Sequence, residues 1–196
     1  MRNPFSMGFS EDGRLFITST GWNAWEEIES GPAGANFGWP YYEGGDNGVN
    51  LRTAGYQNLA SAVPFYAAVD AGTLTITPAF RAFSHASSAP EYQVQAITGG
   101  DVVYSGSKYP VEFRNDFFFT DIVHGEVFVV DVNDRRGLKY LFTTSDGPVH
   151  FTQGPDGYVY YANLYTGVIG RLLIERAPVG TLALHGSATY DIATDV

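Results

Sequence analysis

The stretch Pro4-Phe5-Ser6-Met7-Gly8-Phe9-Ser10-Glu11-Asp12-Gly13-Arg14-Leu15-Phe16-Ile17 returns late in the chain as Pro148-Val149-His150-Phe151-Thr152-Gln153-Gly154-Pro155-Asp156-Gly157-Tyr158-Val159-Tyr160-Tyr161. Pro, Asp and Gly coincide at a single offset of 144 residues. Each copy reads as a strand, an Asp-Gly turn whose glycine supplies positive φ, and a second strand of large apolar residues. That offset accommodates three units of about 48 residues, and a unit of roughly 40 to 50 residues with about four strands is the period of a β-propeller blade. The two copies are expected to be equivalent hairpins three blades apart.

Outward from the two copies, strands are expected over 100–105, 116–122, 125–132, 138–144 and 167–174. The best helical stretch, 55–68, is interrupted by Pro64 and reads as a loop insertion on one face. From Arg176 onward the residues become small and polar. Residues 1–174 are therefore assigned to a partial propeller, and 175–196 to a linker or the start of a further module. At about 48 residues per blade the first segment holds three to four blades, fewer than most closed rings. An opened ring bares strand edges, which implies self-association. The chain opens on Met1-Arg2-Asn3-Pro4, with neither an apolar leader nor a cleavage site, and reads as a piece of a longer polypeptide.

Composition points the same way. Only 16% of the residues are charged, against about 25% in ordinary domains, while 14 Phe, 13 Tyr and 3 Trp accompany 23 Gly and 10 Pro. Aromatics with glycine and proline punctuation suit short strands and tight turns, so the fold class expected is all-β. A net charge of −10 argues against nucleic-acid partners, which are held by neutralising phosphates. With no cysteine, disulfide scaffolds and thiolate chemistry are excluded. The longest apolar run, 117–132, is broken by Asp121, His124 and Glu126, so membrane insertion is not expected.

Common catalytic signatures are absent: no G-x-S-x-G, H-E-x-x-H, P-loop or strand-linked G-x-G-x-x-G occurs. Asp131-Val132-Asn133-Asp134-Arg135-Arg136-Gly137 begins like a calcium loop, but Arg136 stands where the sharp-turn glycine belongs, and an ordinary hairpin turn is expected. The informative block runs from Gly21-Trp22-Asn23-Ala24-Trp25-Glu26-Glu27-Ile28-Glu29 to Asn36-Phe37-Gly38-Trp39-Pro40-Tyr41-Tyr42-Glu43-Gly44-Gly45. With Arg2-Asn3-Pro4-Phe5, Ala96-Ile97-Thr98-Gly99-Gly100, Asp116-Phe117-Phe118-Phe119-Thr120-Asp121 and Gly154-Pro155-Asp156-Gly157, it resembles the glucose/sorbosone dehydrogenase family. Members are soluble six-bladed propellers that use pyrroloquinoline quinone (PQQ). The resemblance spans residues 2 to 174 and corresponds to the C-terminal two-thirds of that domain.

The resemblance implies a fragment of a PQQ- and calcium-dependent aldose dehydrogenase, in which the anomeric hydroxyl of a sugar is oxidised by hydride transfer to the quinone. Arg2 and Asn3 match the pair that contacts the quinone, and a cation with an amide suits its carboxylates. Gly21 and Trp22 match the loop beside the cofactor whose backbone carbonyls ligate calcium. Glu27 and the carbonyl of Phe37 match a further calcium position, which pins the loop. No catalytic residue is assigned: the family's general-base His lies upstream of the Arg-Asn motif, and His85, His124, His150 and His185 read as surface or packing residues. Members also carry a Lys near Val123-His124 and Arg residues before the Gly-Pro-Asp-Gly turn, where this chain has Gly147-Pro148-Val149-His150. Those losses support the alternative, a non-catalytic propeller module of a larger exported protein that binds carbohydrate or protein. Trp22, Tyr41 and Tyr42 could stack on a sugar or pack between blades; Trp25 and Trp39 read as packing. Kinship also implies a periplasmic or secreted location.

Overall fold

The computed structural model describes residues 1–46, 48–86, 93–176, 182–184 and 188–190. Three four-stranded antiparallel sheets form the frame of the described residues. Sheet 1 takes β1 (Asn3–Phe9), β2 (Leu15–Thr20), β3 (Trp25–Ser30) and β4 (Arg81–Ser84) in that spatial order. Sheet 2 takes β5 (Ile97–Thr98), β6 (Asp116–Asp121), β7 (Glu126–Asp131) and β8 (Asp134–Thr143), again in chain order. Sheet 3 takes β9 (Pro148–Gln153), β10 (Val159–Asn163) and β11 (Ile169–Arg171), and its fourth strand is β14 (Ala188–Tyr190), which falls in the stretch read as a linker. A separate ribbon pairs β12 (Ile174–Arg176) with β13 (Leu182–Leu184). The helix α1 (Ala62–Asp70) lies in the excursion between β3 and β4.

The repeated hairpins form at the residues where the repeat places them. In the first, Ser10 N–H donates to the Arg14 carbonyl (2.9 Å) and Gly13 N–H to the Ser10 carbonyl (2.9 Å). The second makes the same two bonds from Gly154 to Tyr158 (2.8 Å) and from Gly157 to Gly154 (2.9 Å). Gly13 and Gly157 share a positive φ, 83° and 82°, which a residue with a Cβ adopts only at a cost. In the segment 131–137, Val132 and Asn133 make the β7–β8 turn, with Asn133 N–H donating to Asp131 Oδ1 (2.8 Å), and Asp134–Gly137 already begin β8, where Arg136 N–H donates to Asp134 Oδ1 (3.0 Å).

The expected fold class is corrected. The two hairpins open sheet 1 and sheet 3, so 144 residues span two sheets and not three blades. The excess length is the excursion between Ser30 and Arg81, which carries α1. Pro64 does not prevent that helix because it is the third helical residue after the N-cap Ser61, where the missing N–H would have had no intrahelical acceptor. The architecture among the described residues is thus mixed α/β with three open antiparallel sheets. It is neither an all-β chain nor three to four blades of a six-bladed propeller, and no ring or barrel closes.

Sheet 2 lies between the other two. Phe117, Phe119, Phe128 and Val130 face one way and pack with Phe16, Ile28 and Phe83 of sheet 1. Phe118, Val127 and Val129 face the other way and pack with Phe151, Val159 and Tyr161 of sheet 3. Alternation along a strand places neighbours on opposite faces, so β6, buried at every residue, serves both cores. The excursion has a small core of its own from Tyr42, Ala62, Tyr66 and Ile76. β1 is an edge strand whose inner face is kept small: Ser6 Oγ donates to the Gly99 carbonyl, and a Cβ on Gly8 would come 2.9 Å from the Asp101 backbone.

Candidate functional site

β3 is an inner strand of sheet 1, and the sequence places three carboxylates on it. Glu26 shares a face with Ile28 and turns toward sheet 2, whereas Glu27 and Glu29 share the opposite face. All three are buried. Glu26 is fully occupied as a clamp, accepting from Ile97 N–H (2.9 Å) and Gly21 N–H (3.2 Å) and pairing with His85 Nε2 (2.9 Å). Burial still holds its carboxyl above the ordinary range, partly offset by those bonds.

The other face meets the excursion. Glu27 Oε1 accepts from Gly44 N–H at 2.6 Å, and Glu43, the next residue back, accepts from Trp22 N–H at 2.5 Å. Glu29 differs from its neighbours: its Oε2 is buried without a hydrogen-bond partner. Burial, with the charges of Glu43 and Glu26, pushes Glu27 up to about 7 against the help of Gly44 N–H. Burial and the charge of Glu27 push Glu29 up to about 9. Glu43 is raised too, by burial opposed by Trp22 N–H.

Backbone geometry fixes this loop tightly. A Cβ on Gly44 (φ 75°) would lie 2.4 Å from the Trp25 ring, and one on Gly21 would lie 1.5 Å from the Trp25 carbonyl oxygen. Gly21→Ala is therefore expected to destabilise the chain by on the order of 2–4 kcal/mol, read as a lower thermal midpoint with altered tryptophan fluorescence; an unchanged midpoint would contradict this packing.

The site residues expected from sequence fall in two places. Arg2 Nη1 donates to the Gly21 carbonyl at 2.6 Å, Asn3 opens β1 opposite Thr20, and Trp22 follows Gly21, so Arg2, Asn3, Gly21 and Trp22 share the β2–β3 end of sheet 1. Glu27 lies along β3 toward them. Phe37 stands at the other end, its ring near Gly31, on an apolar groove of about 720 Å³ that Leu15, Ile17 and Ser30 also line. Trp22 is 48% exposed and meets Trp39 and Tyr56 edge to face, with ring centroids 6.4 and 5.8 Å away, while Trp39 and Tyr56 meet each other at a tilt. Trp25 packs on Gly44, and Tyr41 and Tyr42 belong to the excursion, against Phe65 and Tyr66. His85, His124 and His150 each pair with a carboxylate, Glu26, Asp121 and Asp101 respectively. His185 lies outside the described residues.

Sequence reading singled out Glu27, passed over Glu26, Glu29 and Glu43, and read His85 as a surface or packing residue. The available signal was the run Glu26-Glu27-Ile28-Glu29: charges alternating through an inner strand must be buried, and buried carboxylates need partners. The donor set suits the two expected cofactors unequally. A tricarboxylate quinone does not fit, because Arg2 is committed to the Gly21 carbonyl and the surrounding side chains are carboxylates. Calcium suits the donor chemistry better, because Glu27, Glu29 and Glu43 offer hard anionic oxygens, but their oxygens are not gathered within 4.8 Å of one another.

No protein-family model matches the chain, and no curated protein matches it. Among solved structures, a crystal structure of glucose dehydrogenase matches 83% of this chain and 42% of its own length, with 15% identity and a TM-score of 0.54. A virginiamycin B lyase from Staphylococcus aureus matches 93% of this chain at 12% identity and a TM-score of 0.37, covering 41% of its own length. A streptogramin B lyase matches the same share at 14% identity and a TM-score of 0.37, covering 54% of its own length. The chain therefore spans less than half of the dehydrogenase it matches, and that likeness is one of fold alone. The expected quinone-dependent sugar oxidation and its alternative, a propeller binding module, both require sheets arranged as a propeller. Three open sheets with a helix-bearing excursion do not provide that arrangement, and both readings are set aside.

Proposed function

We propose that this chain is a cation-binding module in which Glu27, with Glu29 beside it on β3 and Glu43 facing it from the loop, draws in a calcium ion that fastens the Trp22–Gly45 segment to β3, the carboxylates closing up as the ion binds. The observation that carries this reading is the buried Glu29 oxygen without a partner, on the same face of β3 as Glu27. A carboxylate taken out of water must either be neutralised by a proton or meet a cation and further donors. Calcium is the chemistry that matches, since the donors are oxygens only and the ion accepts irregular coordination, whereas magnesium demands a near-ideal octahedron. Binding would also join strand and loop: Glu27 and Glu29 belong to β3, while Glu43 carries the N–H bond from Trp22. The ion's part is structural, holding the exposed Trp22 side chain and its Trp39 and Tyr56 neighbours in one arrangement.

Thermal unfolding with and without calcium tests this reading. At about 100 times its dissociation constant, a ligand bound only by the folded chain adds about 2.7 kcal/mol, so the midpoint should rise with calcium and less with magnesium. Because burial holds the Glu29 proton up to about 9 and that of Glu27 up to about 7, calorimetry near neutral pH in buffers of different ionisation enthalpy should show protons released on binding. Glu29→Gln should abolish the shift. A midpoint indifferent to calcium in the unmodified chain would sink the proposal.

A further inference from the structure

A second cluster lies far from these glutamates along the chain, at the end of the β6–β7 hairpin. Asp121 ends β6, Glu126 begins β7, and the two are direct cross-strand partners, so their side chains leave the sheet on the same side. His124 sits in the turn between them. One potential ligand atom from each of Asp121, His124 and Glu126 lies within 4.8 Å of the other two.

The cluster is built rigidly from below. The Asp121 carboxylate is fully buried and fixed by backbone N–H groups of Gln95 (3.1 Å), Ala96 (3.0 Å) and Val123 (3.1 Å). His124 Nδ1 meets its Oδ2 at 2.5 Å. Gly125, between the other two candidate ligands, has φ 68°, and a Cβ there would lie 1.8 Å from the Thr144 carbonyl. The turn therefore has one available backbone path, which presents His124 and Glu126 on either side of the glycine. Among the described residues no hydrogen bond holds the Glu126 carboxylate, and it is only half-buried.

We propose that Asp121, His124 and Glu126 form a site for a divalent transition metal of the zinc type. One imidazole nitrogen and two carboxylate oxygens, with water completing a tetrahedron, make a recognised donor set for such ions. Ligand atoms held about 2.0–2.2 Å from a tetrahedral ion stand about 3.3–3.6 Å apart, so the 2.5 Å contact of His124 Nδ1 with Asp121 Oδ2 opens to admit the ion. The half-exposed His124 ring and the Glu126 side chain can turn to make that adjustment, while Asp121 stays fixed. Imidazole favours zinc, cobalt or nickel over calcium, so this site and the glutamate site on β3 select different metals. Neither proposal depends on the other.

The test is a cobalt(II) titration of the full chain followed by visible absorption, with calcium in excess to occupy hard-oxygen sites, then displacement by zinc. One cobalt ion per chain is expected, with the absorption of a nitrogen- and oxygen-ligated tetrahedral ion. His124→Ala and Glu126→Gln should each weaken binding at least ~10-fold; both side chains reach solvent, so the variants should fold. His150→Ala serves as the control, since that His also faces a carboxylate, Asp101 at 2.6 Å, but lies outside the cluster. Cobalt binding unchanged in His124→Ala, equal weakening in His150→Ala, or no spectral change up to about 1 mM metal would each overturn the assignment.

Discussion

Phe118→Ala is expected to lower the unfolding free energy by about 3–5 kcal/mol, the usual cost of emptying a buried aromatic site. Phe118 is fully buried in the middle of β6. It is the residue through which that strand reaches sheet 3, with its ring 6.1 Å from Phe151 and 6.4 Å from Tyr104. Because the strands on both sides are held by their own hydrogen bonds, the cavity cannot collapse, and the loss combines a transfer cost with a packing cost. Phe5→Ala on the outer face of β1, where the side chain is 48% exposed, should change stability by less than about 0.5 kcal/mol. Urea denaturation of the two variants measures the contrast; similar effects would mean that sheet 2 is not packed on both faces.

Glu29→Gln should stabilise the calcium-free chain above neutral pH, by on the order of 2–4 kcal/mol near pH 8. The sign follows from the protons bound in each state. Unfolded, the carboxyl ionises near its ordinary value of 4.5; folded, burial and the charge of Glu27 hold the proton up to about 9. The folded state therefore binds the extra proton between these values, and its contribution, full below 4.5, declines as pH rises toward 9. The limiting slope is about 1.4 kcal/mol per pH unit for each such group. Glu27, raised to about 7, adds a second slope that ends earlier. Glutamine keeps the shape without the proton equilibrium, so the variant's stability should fall less steeply with pH, as seen in denaturation midpoints from pH 5 to pH 9. Parallel pH curves for variant and unmodified chain would show that Glu29 is ionised in the fold.

The hairpins were legible because they depend on local chemistry. Asp12-Gly13 and Asp156-Gly157 enforce the same turn wherever they occur, and the apolar residues after them form inner strands. The relation between the hairpins was not legible, because distance along the chain does not count sheets: an excursion of unknown length can stand between paired strands, as it does between β3 and β4. Pro64 misled for a related reason. Proline opposes a helix only where an N–H is needed, and its position relative to Ser61 was invisible until the helix start was fixed. At the site, Gly21, Trp22 and Glu27 drew attention only through the family resemblance. Glu29 carries more of the chemistry, yet its significance comes from tertiary burial. The Asp121–His124–Glu126 cluster was passed over because the sequence presents those residues merely as interruptions of an apolar run.

The excursion between Ser30 and Arg81 departs from one strand and returns on its neighbour, so sheet 1 fixes both of its ends. Such a closed detour behaves as a cassette. Once the two anchors are set, each doubling of its length adds only about 0.6 kcal/mol of closure entropy, and its small aromatic core can be exchanged without repacking Phe117 or Phe118. Novelty in this architecture is therefore best accommodated there, where a graft can grow while the layered frame keeps its shape.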